Sequence, residues 1–252
     1  MQIDLSGKNI LVTGASNGIG KAIATQLSAS GARVAIHYNS NRANAEKMAI
    51  ELNNGAMVFG ADLAKEKDCF RLFDDVKTAF GRIDAIVNNA GIFKGHPVQT
   101  DNENWLNIWK QTMDINLTSA AILTKLAINH FTENGGGRLI YIASRAAFRG
   151  ETEDYLAYAA SKGGMVSLAR SVARSFGKQN IKAFTIAPGF TRTEMAESFI
   201  REYGEGAILK ELSLQKLTEP TDISPIVTLM CSGLLDHATG TTVDINAGSY
   251  MR

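Results

Sequence analysis

The stretch of sequence that decides the fold is LVTGASNGIGKAIA, which occupies residues 11–24 of the 252-residue chain. A β-rich apolar run ends at Thr13, a glycine-rich turn follows over Gly14–Gly20, and a helical pattern comes next. Glycines in such a turn let backbone N–H groups come close to a phosphate, and the following helix presents the positive end of its dipole. We interpret the stretch as a phosphate-binding turn between a first strand and a first helix; a tight turn without a ligand is the alternative.

Alternation of short apolar runs and longer amphipathic stretches continues along the rest of the chain. The pattern predicts strands at Asn9–Thr13, Arg33–His37, Met57–Phe59, Ile83–Val87, Leu139–Ala143, Ala183–Ile186 and Thr242–Ile245. It predicts helices at Ile19–Ala29, Asn44–Leu52, Asp68–Phe80 and Tyr155–Phe176. Strands joined by crossover helices are parallel, and helices cover both faces of their sheet. We therefore predict an α/β fold with a doubly wound parallel sheet in three α/β/α layers.

No linker divides the chain into separate domains. Only four prolines occur, and no segment rich in Pro, Gly and Ser separates the two halves. The run Gly135–Gly137 is typical of a tight turn from a helix to a strand. Residues 190–220 have little strand pattern, and their apolar residues at helical spacing are Met195, Phe199, Ile200 and Tyr203. We predict a single domain over residues 1–252, with a helical excursion at about 190–220 between the last two strands.

Composition and charge exclude several classes of protein. Hydrophobic residues make up 45% of the chain and charged residues 20%, which is ordinary for a globular protein with a large buried core. The 26 Lys and Arg residues nearly balance the 25 Asp and Glu residues, so the positive field of a nucleic-acid-binding or polybasic membrane protein is missing. Neither a run of about 18 apolar residues nor a signal-peptide pattern occurs. We expect a soluble, cytoplasmic protein that binds neither nucleic acid nor membranes.

Cysteines, histidines and tryptophans form no pattern that indicates a metal or a disulfide framework. Cys69 and Cys231 lie far apart, as expected of buried thiols in a reducing compartment. The four histidines have no ligand spacing among them, and we predict no metal site. Trp105 and Trp109, one helical turn apart, are interpreted as core or subunit-contact residues rather than as residues that stack on a cofactor.

The end of the second strand indicates which dinucleotide binds. In NAD-binding proteins a carboxylate about 20 residues after the glycine-rich turn holds the adenosine ribose. No Asp or Glu occurs between Ala15 and Ala45; the hydrogen-bond donors there are Tyr38, Asn39, Ser40 and Arg42. Such donors would hold a 2′-phosphate that an acid would repel, so we predict NADP(H) over NAD(H). NAD(H) stays open because Arg42 also suits a solvated helix start, and because Asn17 stands where many NADP enzymes have a base.

A tyrosine and a lysine four residues apart form a second chemical pattern. Tyr158 and Lys162 would lie one above the other on one face of a helix. A free phenol has a pKa of about 10, so acid–base chemistry near neutral pH needs a shift of roughly three units, about 4 kcal/mol. A neighbouring cation supplies about one to three units. Tyr155 has Ala159 at the matching position; chance occurrence on a solvated helix is the alternative for the pair.

Further motifs accompany these two patterns in a fixed order. The complete set is Thr13-Gly14-x-x-x-Gly18-x-Gly20, Asp62 in Ala-Asp-Leu, Asn88-Asn89-Ala90-Gly91, Asn116, Ser144, Tyr158-x-x-x-Lys162 and Pro188-Gly189. With it the chain resembles the short-chain dehydrogenase/reductase family of single-domain proteins, over essentially its whole length. The resemblance implies a Rossmann-type fold. One departure is the strongly charged stretch between Ser144 and Tyr158, which makes this gap slightly longer than usual and predicts a reshaped pocket.

Four catalytic roles are implied by the resemblance. Tyr158 would be the general acid/base, and Lys162 would lower the pKa of Tyr158 and hydrogen-bond the nicotinamide ribose. Ser144 would hold the substrate oxygen. Asn116 would anchor a water that relays protons through Lys162; the alternative for Asn116 is a buried amide with structural partners only.

The residue patterns and the resemblance together indicate a set of dinucleotide-binding residues. In the first part of the chain they are Gly14, Ser16, Asn17, Gly18, Ile19, Gly20, Tyr38, Asn39, Ser40 and Arg42. Further along they are Asp62, Leu63, Asn89, Ala90, Gly91, Tyr158, Lys162, Pro188, Gly189, Thr191 and Thr193. A helix N-cap is the alternative for Asp62, and a simple turn is the alternative for Asn88–Gly91.

These observations predict an NADP(H)-dependent oxidoreductase. It would transfer a hydride between the nicotinamide and a small-molecule carbonyl or secondary alcohol, acting on CH–OH donors. A sugar, polyol or xenobiotic carbonyl dehydrogenase that uses NAD(H) is one alternative. A non-catalytic dinucleotide sensor on the same fold is another, and the intact set of Asn116, Ser144, Tyr158 and Lys162 argues against it.

The resemblance also bears on the substrate and the assembly. It extends to 3-oxoacyl-carrier-protein reductases, whose carrier protein meets basic residues beside the pocket. At the corresponding places this chain has Glu133, Asn134, Gly135 and Gln179. This departure puts carrier-protein recognition in doubt. Relatives are commonly homotetramers, paired through helices that correspond to Asn104–Phe131 and Tyr155–Phe176 with a second contact at residues 239–252, and the 190–220 excursion would cover the substrate.

Overall fold

A computed structural model describes residues 3–194, 196, 197, 200 and 204–252. These residues form a seven-stranded parallel sheet with the order β3-β2-β1-β4-β5-β6-β7. The strands are β1 Asn9–Val12, β2 Arg33–Tyr38, β3 Met57–Gly60, β4 Ala85–Asn88, β5 Gly137–Ile142, β6 Ile181–Pro188 and β7 Thr242–Ile245. The predicted α/β fold with a doubly wound parallel sheet of Rossmann type is confirmed.

Helices connect the strands and cover both faces of the sheet. They are α1 Gly18–Ala29, α2 Arg42–Leu52, α3 Glu66–Phe80, α4 Asn102–Met113, α5 Ser119–Glu133, α6 Ala146–Arg149, α7 Leu156–Phe176, α8 Glu205–Leu209 and α9 Pro220–Ser232. A π-helical segment, Asp114–Thr118, joins α4 directly to α5. The helices predicted from hydrophobic periodicity are found as α1, α2, α3 and α7, with small differences at their first residues.

Apolar side chains that alternate along each strand form two core layers, one on each face of the sheet. Val12, Ile36 and Val87 pack in the layer that includes α1 and α9. Leu11 and Ile86 point to the opposite face and pack with α3, α5 and α7. Because both faces are covered, the strands are nearly continuous apolar runs in the sequence, as expected of a buried parallel sheet.

The order of the strands reverses next to β1, and this reversal positions the site. β1 pairs with β2 on one side and with β4 on the other, so that Val12 lies opposite both Ile36 and Val87. The connections that leave β1 and β4 therefore diverge and open a crevice at the carboxyl ends of these strands. Ligands of open α/β sheets bind in such a crevice.

Two further regions show what sequence patterns can and cannot indicate. The tight turn predicted at Gly135–Gly137 is found, because α5 ends just before it and both Gly135 and Gly136 have positive φ, +79° and +110°. Helix α9 has no clear signal in the sequence because Pro225 lies inside it. Pro220 occupies its first turn, where the missing N–H is not needed.

Residues 190–220 leave the sheet between β6 and β7 and contain α8. Thr191 pairs with Thr218, so the two ends of this excursion meet. Its buried apolar residues form a small separate cluster of Ile208, Leu212 and Leu217, against which Ile200 packs. The other predicted stripe residues, Met195, Phe199 and Tyr203, lie outside the described residues. Among the described helices, none has the length and apolar character needed to cross a membrane.

Candidate active site

One cavity at the carboxyl ends of the strands contains most of the predicted site residues. Its volume is about 810 Å³. The predicted nucleotide-binding residues in its lining are Gly14, Ser16, Asn17, Gly18, Ile19, Gly20, Asn39, Ser40, Asp62, Leu63, Asn89, Ala90, Gly91, Pro188, Gly189, Thr191 and Thr193. The predicted catalytic residues in it are Ser144, Tyr158 and Lys162. Tyr38, Arg42 and Asn116 are not part of the lining that the described residues form.

The glycine-rich turn is shaped for close approach of a ligand to its backbone. Gly14 and Gly18 have φ of +62° and +52°, in the left-handed region that favours glycine. A Cβ on Gly20 would lie 2.2 Å from the carbonyl oxygen of Gly14, so only glycine fits there. Helix α1 begins at Gly18, and within the described residues no side-chain hydrogen bond from Asn17 caps it. The turn and the helix end therefore fit the phosphates of a dinucleotide.

Thr13 and Asn89 fasten the loop after β4 to this turn. The Thr13 hydroxyl accepts hydrogen bonds from the backbone N–H groups of Asn89 and Ala90, both at 2.9 Å. The Asn89 side-chain amide donates to the carbonyl oxygens of Thr13 at 2.8 Å and Gly14 at 3.2 Å. The segment Asn88–Gly91 is therefore more than a simple turn, because it holds two sides of the crevice together.

His37 connects the glycine-rich turn to the loop after β3, a role that no sequence motif indicates. Its Nδ1 accepts a hydrogen bond from the backbone N–H of Gly14 at 3.0 Å, and its Nε2 lies 3.0 Å from the carbonyl oxygen of Ala61. These partners require a neutral ring with its proton on Nε2. Burial lowers the pKa of His37 to about 4, which keeps the ring neutral at physiological pH. No sequence signal predicts this role because both contacts join residues distant in the chain.

Tyr38 and Arg42, at the end of β2 and the start of α2, lie outside the cavity. The ring of Tyr38 covers Gly60, where a Cβ would come within 2.9 Å of it. The Arg42 guanidinium forms an exposed ion pair with Glu46, with Nε 2.8 Å from Oε1. In this arrangement Arg42 has the position expected of a charge at a helix start, which is the alternative that the sequence leaves open.

Asp62 lies in the cavity lining after β3. Its carboxylate accepts a hydrogen bond from the backbone N–H of Ala64 at 3.1 Å and forms an ion pair with Lys65 at 3.1 Å. The N-cap residue of α3 is Lys65. Asp62 therefore shapes the turn before α3 without being its N-cap, and together with Leu63 it borders the part of the cavity next to His37.

Ser144 and Tyr158 bring two hydroxyl groups together on the far side of the cavity. Ser144 follows β5, and its hydroxyl accepts a hydrogen bond from the backbone N–H of Ala146 at 3.1 Å. Burial raises the pKa of Tyr158 to about 12; the hydrogen bond with the Ser144 side chain acts in the opposite direction, and the negative charge of Glu151 adds to the rise. The phenol therefore carries its proton at neutral pH.

Lys162 lies one turn after Tyr158 on α7. Its Nζ donates a hydrogen bond to the carbonyl oxygen of Ile142 at 2.8 Å and lies 5.7 Å from the centre of the Tyr158 ring. Burial lowers the pKa of Lys162 to about 8. The net shift of the Tyr158 pKa is upward in the protein alone, because burial of the phenol has a larger effect than the hydrogen bond with Ser144.

Asn116 lies in the π-helical segment and borders the cavity from behind. Its Oδ1 accepts from the backbone N–H of Ile92 at 2.8 Å, and its Nδ2 donates to the Ile92 carbonyl at 3.0 Å and the Ser161 hydroxyl at 3.1 Å. A Cβ on Gly91 would lie 3.3 Å from Oδ1 of Asn116 and 3.4 Å from Nζ of Lys162. The amide thus has the structural partners expected of a buried asparagine, and it adjoins Lys162 across Gly91.

The start of the excursion closes the cavity over the glycine-rich turn. A Cβ on Gly189 would lie 2.7 Å from the Cα of Asn246, so the chain after β6 packs directly against the segment after β7. A Cβ on Gly18 would lie 3.3 Å from Cγ2 of Thr193. Thr193 therefore lies next to the phosphate-binding turn, and both line the same cavity as Tyr158.

The substrate side of the cavity, beyond Ser144, contains residues that the motifs do not include. Phe93 stacks on Tyr155 with ring centres 3.9 Å apart and meets Tyr158 edge-on at 4.8 Å. The charged residues on this side are Arg145, Arg149, Glu151 and Glu211. The first three belong to the charged stretch before Tyr158, which is the sequence signal for them. Glu211 comes from the excursion, and no local pattern connects it with the others.

One aromatic group lies apart from this cavity. Trp105 and Trp109 stack on each other with ring centres 5.2 Å apart, beside His96. They are not among the residues that line the described cavity, in agreement with a packing role. Among the described residues, no cluster of three or more His, Cys, Asp and Glu side chains could hold a metal ion.

Comparison with known proteins identifies the family. The family model for short chain dehydrogenases matches residues 8–204, which is most of the chain. The chain belongs to the short-chain dehydrogenase/reductase family. The resemblance carried by the sequence motifs is therefore confirmed, and the protein is an oxidoreductase of a family that binds NAD(P) and acts on CH–OH groups.

Similar short-chain dehydrogenases/reductases align with nearly the whole chain. A short-chain type dehydrogenase/reductase of Picea abies is 32% identical, over 97% of this chain and 93% of its own. The 3-oxoacyl-[acyl-carrier-protein] reductase of Haemophilus influenzae is 33% identical, over 98% of this chain and 100% of its own. A Beutenbergia cavernae protein, provisionally named an NAD(P)-dependent gluconate 5-dehydrogenase, has been solved with NADP bound at low occupancy. It is 26% identical, with a TM-score of 0.90 and 99% of both chains covered.

Proposed function

We propose that this short-chain dehydrogenase/reductase is an NADP(H)-dependent enzyme that transfers a hydride between the nicotinamide and a small-molecule carbonyl or secondary alcohol. The observation that carries the proposal is the single cavity in which the Gly14–Gly20 turn meets Ser144, Tyr158 and Lys162. When bound, the dinucleotide supplies or accepts the hydride. The chain's own residues supply orientation, hydrogen bonds and a proton.

Tyr158 is the proton donor in this proposal. In carbonyl reduction the phenol gives its proton to the substrate oxygen, and the Ser144 hydroxyl donates a hydrogen bond to the same oxygen. The raised pKa of Tyr158, about 12, keeps the phenol protonated and so favours reduction near neutral pH. Alcohol oxidation needs the phenolate, which the positive charge of Lys162 stabilises. We therefore expect oxidation to require a higher pH than reduction.

Reprotonation of Tyr158 is assigned to a relay past Gly91. Lys162 and Asn116 border the same space there, and Gly91 has no side chain to fill it. We propose that Asn116 anchors a water which passes protons to Tyr158 through Lys162. The π-helical segment that contains Asn116 supports this assignment, because such segments occur frequently at functional sites.

Replacement of Tyr158 tests the proposed reaction. Tyr158→Phe removes the transferable proton and keeps the ring, so we expect turnover of carbonyl substrates to fall by about 10²–10⁴-fold. The dissociation constant of NADPH, measured by fluorescence titration, should change less than about 2-fold because the phosphate-binding turn is untouched. Tyr250→Phe, outside the cavity lining, is the matched control. Turnover near the native rate in Tyr158→Phe would contradict the assignment.

The preference for NADP(H) rests on the residues after β2. Asn39 and Ser40 line the cavity there, and the chain has no acid between Ala15 and Ala45 to repel a 2′-phosphate. The NADP bound to the Beutenbergia cavernae relative is in keeping with this preference. We expect much tighter binding of NADPH than of NADH in fluorescence titrations; equal affinities would contradict it.

The relatives suggest different substrates for this cavity. The Haemophilus influenzae relative is a 3-oxoacyl-[acyl-carrier-protein] reductase, and the Beutenbergia cavernae relative carries the name of a gluconate dehydrogenase. Recognition of an acidic carrier protein would need basic residues that Glu133, Asn134, Gly135 and Gln179 do not provide. We therefore propose a free small-molecule carbonyl compound as the substrate.

Assembly and location are inferred from the family. We propose a cytoplasmic homotetramer whose subunits pair through α4–α5 and α7. Leu106 on α4 and Leu156 on α7 are large apolar residues that are 57% and 40% exposed in one chain, and such a contact would bury them. Light scattering on the purified protein should give the mass of a tetramer; a strict monomer would contradict the proposal.

A further inference from the structure

Two arginines lie on the substrate side of the cavity, beside the Ser144 hydroxyl. Arg145 directly follows Ser144, and its backbone N–H donates to the Pro188 carbonyl at 2.9 Å. Arg149 lies one turn further on, at the end of α6. Both residues line the cavity. The hydride transfer and the proton relay described above use neither of them.

Arg145 is buried, and its hydrogen bonds are incomplete. Only 6% of the residue is exposed. Its Nη2 donates to Oε2 of Glu211 at 3.3 Å, whereas its Nη1 is buried and has no hydrogen-bond partner among the described residues. Burial lowers the pKa of Arg145, but a guanidinium stays protonated in proteins. A buried donor without an acceptor is costly, so an acceptor that comes within reach of Nη1 would be favoured.

A half-buried arginine, Arg138, shows what a purely structural role looks like in this chain. Arg138 donates to Asp236 through both Nε, at 3.0 Å, and Nη2, at 2.9 Å. This two-bonded pair lies outside the cavity lining and follows the usual geometry of an arginine and a carboxylate. Arg145 differs in two respects. Its single hydrogen bond to a carboxylate is longer, and its Nη1 has no hydrogen-bond partner among the described residues.

The carboxylates near Arg145 do not satisfy it. Glu151 pairs with Nη2 of Arg149 at 3.5 Å. Glu211 lies between the two arginines, 3.3 Å from Nη2 of Arg145 and 3.9 Å from Nη1 of Arg149, and its side chain is 56% exposed. Ion pairs with such an exposed partner are weak, and Glu211 belongs to the excursion rather than to the sheet. An incoming anion can therefore compete with it.

We propose that Arg145 binds a carboxylate group of the substrate, so that the enzyme interconverts oxo acids and hydroxy acids. This inference rests on the proposed function, because it places the carboxylate beside the carbonyl that Ser144 and Tyr158 hold. The two arginines and two glutamates already sum to zero charge, so a singly charged carboxylate fits better than a doubly charged phosphate. Since Ser144 and Arg145 are neighbours in the chain, only a few bonds separate the carboxylate from the reacting carbonyl.

Matched pairs of substrates test the inference. The probes are straight-chain oxo acids of four to six carbons and their methyl esters, followed by NADPH oxidation. We expect KM to be at least about 10-fold lower for the best acid than for its ester, and Arg145→Met to raise the KM of the acid by about 10–100-fold. The KM of the ester should change less than about 2-fold. Arg174→Met, at the exposed end of α7, is the control.

Glu211→Gln supplies a test that does not depend on the folding of an Arg145 variant. Glu211 is largely exposed, so the substitution should leave the fold intact. Loss of its competing charge should lower the KM of the acid by about 3-fold or more and leave the KM of the ester unchanged. Equal KM values for acid and ester, or equal effects of these substitutions on both, would overturn the inference while leaving the proposed function in place.

Binding to Tyr158→Phe separates the two proposals. Calorimetric titration of the NADP-loaded Tyr158→Phe protein with each oxo acid and its ester measures recognition without chemistry. Preferential binding of an acid, abolished by Arg145→Met in the same background, would support the carboxylate site even if no probe is turned over. Failure of every acid to bind better than its ester would overturn the carboxylate site. Absence of turnover in the native protein with acid binding intact would count against the proposed reaction alone.

Discussion

The nucleotide side of the cavity and its catalytic side are built by different physical means. On the nucleotide side, backbone and neutral side-chain groups satisfy one another: Gly14 donates to His37, and the Asn89 amide bonds Thr13 and Gly14. On the catalytic side, desolvation moves the pKa values of the half-buried Tyr158 and the buried Lys162 to about 12 and about 8.

The nucleotide side therefore depends mainly on the shape of its backbone, and the catalytic side mainly on electrostatics. The nucleotide side stabilises the fold while it forms the binding surface, because its hydrogen bonds are made within the protein. The catalytic side costs folding free energy, because a buried ammonium is less stable than a solvated one. We therefore expect a substitution of Lys162 on the catalytic side to lower activity and raise stability. A substitution in the glycine-rich turn on the nucleotide side should lower both stability and NADPH binding.

Lys162→Met should give the largest effect, with a loss of activity and a gain in stability. We expect turnover to fall by about 10³-fold, since the charge that stabilises the Tyr158 phenolate is lost. The free energy of unfolding at pH 7 should rise by about 1–2 kcal/mol, because the penalty of the buried ammonium exceeds its hydrogen bond to Ile142. Activity assays and urea unfolding measure the two quantities.

The pH dependence of Lys162→Met supplies its control. The pKa of Lys162 is about 8 in the folded protein and 10.5 in the unfolded chain, so the penalty is complete below pH 8 and disappears as the pH rises to 10.5. The stability advantage of the variant should shrink over the same interval. Loss of both activity and stability at pH 7 would mean that Lys162 stabilises the native fold.

Gly20→Ala should damage the nucleotide side in both respects. The added Cβ would lie 2.2 Å from the Gly14 carbonyl oxygen, so the turn must shift. We expect the free energy of unfolding to fall by about 3 kcal/mol and NADPH binding to weaken at least about 10-fold. Gly177→Ala is the matched control, because its φ of −60° suits alanine and no atom lies near the new Cβ. It should be neutral or stabilising by about 0.5 kcal/mol; equal effects of the two would refute the steric argument.

His37→Leu should loosen the nucleotide side with little direct effect on chemistry. Loss of the contacts to Gly14 and Ala61 should raise the KM of NADPH by about 10-fold, with a smaller change in turnover. The folded pKa of His37, about 4, lies below its ordinary value of 6.5. Its contribution to stability is therefore complete above pH 6.5 and is lost as the pH falls towards 4.

Urea unfolding of both proteins across this pH range checks the His37 prediction. The native protein should lose up to about 3 kcal/mol between pH 6.5 and 4 from this residue. His37→Leu should have a flatter profile, since it has no ring to protonate. Parallel profiles for the two proteins would show that His37 is not held neutral by the loops it connects.

Arg42→Ala should give the smallest effect on stability. Its ion pair with Glu46 is exposed, so the free energy of unfolding should change by less than about 0.5 kcal/mol. Because this weak pair leaves the guanidinium able to turn towards a 2′-phosphate, NADPH affinity should fall several-fold while NADH affinity stays the same. An unchanged NADPH affinity would remove Arg42 from the binding site and leave the preference to Asn39 and Ser40.

Local patterns predict most of the nucleotide side. The glycine-rich turn, the strand before it and the helix after it are adjacent in the chain, so Gly14–Gly20 can be interpreted without the fold. The family resemblance added Asp62 and Asn89, which the structure places in the same cavity. Asn116, also expected in the site, lies behind the lining because its amide bonds the Ile92 backbone and Ser161.

The parts that local patterns do not predict depend on distant contacts. His37 meets Gly14 across two strands, and Glu211 reaches Arg145 from the far end of the excursion. Tyr38 ends β2 and Arg42 begins α2, yet their side chains turn to Gly60 and Glu46. Side-chain direction at a strand end is decided by neighbours that sequence spacing does not reveal.

The sequence by itself determines the order of strands and helices along the chain, the phosphate-binding turn, and the placement of the tyrosine and lysine on one helix face. These features depend on periodicity and glycine placement, which act within a few residues. Only tertiary packing determines the environment of those groups. Burial raises the pKa of Tyr158 although a lysine lies one turn away, and the same burial leaves a nitrogen of Arg145 without a partner among the described residues. Desolvation depends on everything packed around a group, and that surrounding is assembled from segments far apart in the chain.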